Sequence, residues 1–104
     1  MNRLYIDTRD NKKVIARINT KDNSFEEQSD SQNRRPESIL ILIDKVCARA
    51  KITIHDVDEI EVEEGPGSYT GLKVGASVAN ALSFALQKKV NGKPFTNLVE
   101  PKYE

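Results

Sequence analysis

Short runs rich in β-formers open the chain, and two longer helical patterns come after them. Arg3 to Thr8 (RLYIDT) is the first run, ending in Asp-Thr, and Lys12 to Ile18 (KKVIARI) is the second. Asp10-Asn11 between them reads as a hairpin turn. Ser24 to Gln28 is a weaker third strand after the turn-prone Lys21-Asp22-Asn23, and residues 29–35 are polar loop or the frayed start of the next helix. Pro36 suits the first turn of a helix, with Glu37 favourable near its N-terminus. Ile39, Leu42, Ile43, Val46, Cys47 and Ala50 then recur at helical spacing and form one apolar face. Ile41 lies nearly opposite that face: it is either an ordinary exposed isoleucine or a residue that touches a partner.

Ile54 to Val57 reads as a turn leading to a strand over Glu59 to Glu63, where Ile60 and Val62 alternate with acids. Gly65-Pro66-Gly67 breaks that strand, and a second helix is predicted from about Thr70 to Lys88. Residues from about 91 to 104 form a tail with at most a short strand. The order is β-β-β-α-β-α in one unit spanning residues 1–104. Hairpin-linked strands followed by a crossover helix predict a mixed α/β sheet with both helices available to cover it. That is the ribonuclease H-like arrangement also found in actin-like ATPase lobes, truncated before its final helix.

Gly65 to Gly71 (GPGSYTG) is a strand-to-helix turn. Its glycines permit close backbone approach, and Ser68 or Thr70 can cap the helix. Free N–H groups at such a turn suit an anion, which makes Gly67, Ser68 and Thr70 candidate nucleotide or phosphate contacts, with Asp7 added by the likeness to actin-like ATPase lobes. The spacing departs from the Walker pattern, because Lys73 does not directly follow a glycine. A structural cap is the rival reading. The helix itself is apolar nearly all round, interrupted by Lys73, Ser77, Asn80, Ser83 and Gln87. Such a helix must be covered on both sides. Either the first helix and the tail cover the arc that the sheet does not, or an apolar patch marks an interface. Gly71, Gly75 and Ala79 repeat at four-residue spacing, which would admit a neighbouring helix. The residues expected at that interface are Ile41, Leu72, Gly75, Ala76, Ala79, Leu82 and Ser83.

Composition narrows the chemistry. The 104 residues carry 16 basic and 16 acidic side chains, so bulk charge provides no drive toward nucleic acid or anionic lipid. Cys47 is the only cysteine and falls in an apolar pattern, as a buried thiol would; His55 is the only histidine. The chain therefore lacks the His/Cys set of a zinc site, and no metal, cofactor or catalytic residue is expected. No run of about 18 apolar residues could span a membrane, and the opening MNRLYIDTRD lacks a signal-peptide core, so a cytoplasmic location is expected.

The string Gly65 to Gly75 (GPGSYTGLKVG) followed by an alanine-rich helix resembles the TsaB (YeaZ) family, whose members carry GPGSFTGLR-like residues there. Tyr5-Ile6-Asp7-Thr8 is similar to the family's opening strand. Glu37-Ser38-Ile39-Leu40 falls where its first helix begins, and Ile54 to Glu63 is similar to its approach to the glycine turn. The resemblance covers about residues 3–90. It implies the actin-like ATPase fold and a role in forming N6-threonylcarbamoyladenosine at position 37 of tRNA. It also implies a non-enzymatic subunit that binds and stabilises the transferase TsaD, with a TsaE-type ATPase associated. Contact would run through the two helices, as a heterodimer or as a homodimer when alone, and tRNA would be met only through the complex.

Three departures qualify the expectation. Family members have a second lobe, so Asp7 and the glycine turn would here face an absent partner. Pro36 stands near the family's usual histidine, and Arg9-Asp10-Asn11 replaces a small-residue loop, which weakens a phosphate grip. The metal-binding histidine pair of TsaD has no counterpart, and Cys47 with His55 makes a poor peptidase dyad.

Overall fold

The computed structural model describes residues 1–10, 12–30 and 35–102. The expected turn at Asp10-Asn11 and most of the 29–35 loop fall partly or wholly outside those residues. Five strands form one mixed sheet in the order β3-β2-β1-β4-β5. They are β1 (Arg3–Asp7), β2 (Lys13–Asn19), β3 (Ser24–Asp30), β4 (Glu59–Val62) and β5 (Lys89–Val90). The β1–β2 and β2–β3 pairs are antiparallel, whereas β1–β4 and β4–β5 are parallel. Helices α1 (Pro36–Arg49) and α2 (Tyr69–Leu86) make the crossovers.

Register explains why only one face is covered. Leu4 pairs with Ile18 and Ile60, and Ile6 with Ala16 and Val62, so the buried residues of three strands share one side. Ile39, Leu42, Ile43, Val46 and Cys47 of α1 and Val78 and Ala79 of α2 close onto that side in a single core. Period-two strands and a period-3.6 helix thus agree about where the core lies. The opposite face carries Arg3, Tyr5 and Asp7 of β1 beside Arg17 and Ile15 of β2.

Element ends follow local chemistry. Pro36 occupies the first turn of α1, where its missing N–H costs nothing. Ser68 caps α2, its hydroxyl accepting from the Gly71 N–H at 3.3 Å. The helix stops two residues before the predicted Lys88, because Gln87 turns left-handed (φ 55°) and the Lys88 N–H bonds the Ser83 carbonyl at 3.0 Å. The last strand, at Lys89–Val90, starts just before the predicted tail and extends the sheet parallel to β4.

Candidate functional site

Two regions bear on function, the glycine turn and the outer surface of the helix pair. At the turn, Gly67 lies against the backbone of Arg9: a Cβ there would stand 2.8 Å from the Arg9 Cβ, and the Ser68 N–H bonds the Arg9 carbonyl at 3.0 Å. The Arg9 side chain reaches back to Asp7, its Nε at 3.1 Å from Oδ1 and its Nη2 at 3.0 Å from Oδ2. The Arg9 N–H also donates to Asp7 Oδ1, at 3.0 Å. Burial alone would push the Asp7 carboxyl up, yet these contacts with Arg9 outweigh it and hold the group below its ordinary value. Tyr5 completes the cluster, its hydroxyl 2.7 Å from Glu63 Oε2 and 3.3 Å from Asp7 Oδ2. Burial and the bond to Glu63 raise the Tyr5 phenol well above its usual range. Both Asp7 oxygens are thus engaged by Arg9, a residue that sequence reasoning treats only as a spoiled loop.

The candidate phosphate residues are therefore gathered at one end of the sheet but differently committed. Asp7 is clamped, Gly67 is exposed and abuts Arg9, Ser68 caps its own helix and Thr70 is exposed. Among the described residues, no group of three or more His, Cys, Asp or Glu side chains is placed to hold a metal ion. Cys47 is buried, and that burial, with Asp44 and Asp56 nearby, pushes its thiol up to about 11. His55 is exposed on the short 3-10 turn Ile54–Asp56.

The helix surface corrects the expected interface. Leu72, Gly75, Ala76, Ala79 and Ser83 are all buried within the chain. Ala79 belongs to the core shared with the strands, and the other four are buried elsewhere within the lobe. Gly75 lies on Thr8, just past the end of β1, so at this position the small-residue stripe admits the Thr8 side chain rather than another helix. Ser83 donates to the Lys88 carbonyl at the helix end. None of these five can present a side chain to a partner. Ile41 is 56% exposed and Leu82 is half-buried, so both stay available. The outward arc instead carries Ser77, Ala81, Phe84 and Ala85. Between the helices runs an open apolar groove of about 280 Å³ lined by Pro36, Leu40, Ser77, Val78, Ala81, Leu82 and Ala85. Leu40 is 42% exposed and Phe84 68%. Leu40 lines the groove and Phe84 does not, and an exposed apolar residue in such a groove is typical of interaction surfaces.

With this geometry in hand, comparison with known proteins separates fold from function. The family model described as "TsaD: tRNA N6-adenosine threonylcarbamoyltransferase" matches residues 25–92, more than half of the chain. The chain belongs to the TsaD/TsaB (YeaZ) family. The tRNA threonylcarbamoyladenosine biosynthesis protein TsaB of Haemophilus influenzae is 35% identical over 68 residues, 65% of this chain and 28% of that protein. The tRNA N6-adenosine threonylcarbamoyltransferase of Ralstonia pickettii is 48% identical over 50 residues, 48% of this chain and 14% of that one. YeaZ from Pseudomonas aeruginosa superposes with a TM-score of 0.79 at 22% identity, over 86% of this chain and 43% of its own. The mixed sheet with two helices is the fold that this neighbour shares, the truncated actin-like lobe expected from the element order. The chain spans less than a third of the two curated relatives. No helix among the described residues is long and apolar enough to cross a membrane.

Proposed function

We propose that this chain is a non-catalytic, partner-binding subunit in the formation of N6-threonylcarbamoyladenosine on tRNA. In this reading it docks and stabilises a TsaD-type transferase through α1 and α2. The observation that carries the reading is the groove between the helices. Leu40, Ala81, Leu82 and Ala85 line it on the outside of a lobe whose inner helix faces are already filled. The family membership supplies the pathway, since the TsaB relative is named for threonylcarbamoyladenosine biosynthesis. The groups from which catalysis would be asked are occupied otherwise: Asp7 by Arg9, and Cys47 by burial as a protonated thiol. The balanced charge fits a subunit that meets tRNA only through its complex. Alone, the same surface would pair two copies, and a TsaE-type ATPase would join the assembly through the transferase.

Sedimentation of the full chain with and without a TsaD-type protein tests this. A one-to-one heterodimer that replaces a homodimer supports the reading. A monomer whose sedimentation ignores the transferase rejects it.

A further inference from the structure

Beyond β5 the chain doubles back as a strap along the flank of α2, and the way it is held has the form of peptide recognition. Asn91 anchors its root: the side-chain amide donates to the Val62 carbonyl at 2.9 Å and accepts from the Val62 N–H at 2.8 Å. Asn80, on α2, does the same to the strap, donating to the Val99 carbonyl at 3.0 Å and accepting from the Val99 N–H at 2.9 Å. Val99 is seated in the core at 2% exposure while Leu98 beside it is 68% exposed, the alternation of an extended segment. Phe95 meets Phe84 edge-on, with ring centroids 6.3 Å apart. At the far end the Lys102 N–H bonds the Glu64 carbonyl at 2.6 Å, and Gly65 leaves room for the Lys102 carbonyl that a Cβ would fill.

A side-chain amide that pairs with both backbone groups of one residue stands in for a neighbouring strand. It reads extended conformation, while the pocket beneath asks for one aliphatic side chain. Neither contact depends on which chain supplies the segment. The root itself is closed: Gly92 (φ 78°) lies in the turn where the Val90 N–H bonds the Lys93 carbonyl at 3.0 Å and the Lys93 N–H bonds the Val90 carbonyl at 2.9 Å, so movement of the strap begins past Lys93. Past Lys93 the described contacts that hold the strap to the lobe are one buried aliphatic side chain, one ring contact, three hydrogen bonds of its backbone and the Lys102–Glu64 ion pair at 3.8 Å.

We infer that the Asn80–Glu64 flank of α2 is an exchangeable site for a peptide that is extended from Leu98 onward after a turn at 95–97, filled in cis by residues 95–102 and in trans by the same strap of a second copy. Each lobe keeps its Asn91 anchor and its Val90–Lys93 pair and trades the segment beyond Lys93. This site is separate from the groove between the helices. Arginine at Ala81 would block that groove and leave strap exchange untouched, so the two readings fail independently.

The test uses the full chain and a fluorescent peptide of residues 93–102. In the V99D chain a carboxylate cannot enter the Val99 seat, so the chain's own strap is evicted. The peptide is expected to bind V99D at least roughly tenfold more tightly than wild type, whose tethered strap competes at high effective concentration. Adding N80A to V99D should abolish the binding. A V99D chain with wild-type circular dichroism that binds no better than wild type overturns the inference, and so does binding that survives N80A. Should V99D fail to fold, hydrogen exchange of the wild-type chain decides. Val99 and Lys102 amides that exchange by local opening, ahead of Ile60, support exchange; amides that open only with the whole lobe overturn it.

Discussion

Gly75 rests on Thr8 so closely that a β-carbon on the glycine would run into the threonine hydroxyl. Thr8 is itself buried on the helix side of β1, which puts the second turn of α2 in direct contact with the start of the β1–β2 connection. Gly75→Ala is expected to destabilise the lobe by about 1–3 kcal/mol, because the helix must lift or Thr8 must shift. In urea the midpoint should fall with the slope unchanged. Thr8→Ala should recover part of that loss when combined with Gly75→Ala, since the two residues share one space. Additive costs would show that the contact is not the cause.

Ala79 and Ala81 are two residues apart and face opposite ways, Ala79 into the core and Ala81 into solvent. Arginine at Ala79 places a charge among apolar neighbours and is expected to unfold the lobe. Arginine at Ala81 should leave the thermal midpoint within a few degrees of wild type while removing self-association and transferase binding. Circular dichroism read beside sedimentation separates the two outcomes. Retained association in Ala81→Arg would move the interface away from the groove.

The Asp7–Arg9 pair sets a pH dependence whose sign is given by the direction of the shift. A carboxyl held below its ordinary value contributes stability above its unfolded value of about 3.9, lost as pH falls through the lower folded value. In Arg9→Ala the burial of Asp7 remains while its main partner is gone, so the carboxyl should titrate above the ordinary range. A carbon-13 titration of the Asp7 carboxyl checks this directly. The variant should also lose part of the stability difference that wild type shows between neutral and acidic pH.

Cys47 is buried with its thiol pushed up to about 11, so little thiolate exists near neutral pH. A disulfide reagent at pH 8 should label it at the rate of unfolding and react at once in denaturant. Rapid labelling of the native chain would place the thiol at the surface.

The strands and the first helix are legible in the sequence because their patterns are unambiguous. Ile60 and Val62 alternate with acids, and Ile39 to Cys47 repeat with helical period, so each element declares its buried side. The second helix does not. Apolar and small residues surround it, so periodicity places the helix without orienting it, and Leu72 and Ala76, expected to face outward, are buried within the lobe. The small stripe does signal close packing, but the neighbour is Thr8 rather than a second helix. A usable orientation signal is present in Asn80 and Ser83, polar residues of the apolar run whose side chains bond backbone carbonyls beyond the helix, whereas Ser77 bonds back to Lys73 within it. The two-residue β5 is too short to carry a pattern. Arg9 is visible only as a departure from the family, since a bidentate grip on Asp7 depends on the turn of the chain after β1.

Because both helices lie on one side, the sheet has a back of a different character. There Arg3 lies 3.6 Å from Glu59 and 3.2 Å from Glu61, and Arg17 spans Glu26 at 2.7 Å and the face of Tyr5 at 4.8 Å. These charges are zipped to one another along the pleat. A plain greasy helix laid over this side would strand them away from water, at the cost that buried ions always carry. Any protein layer that settled there would have to bring its own matching carboxylates and guanidinium groups, so the back of the lobe offers a neighbour a charge register, whereas the helix side offers an apolar groove.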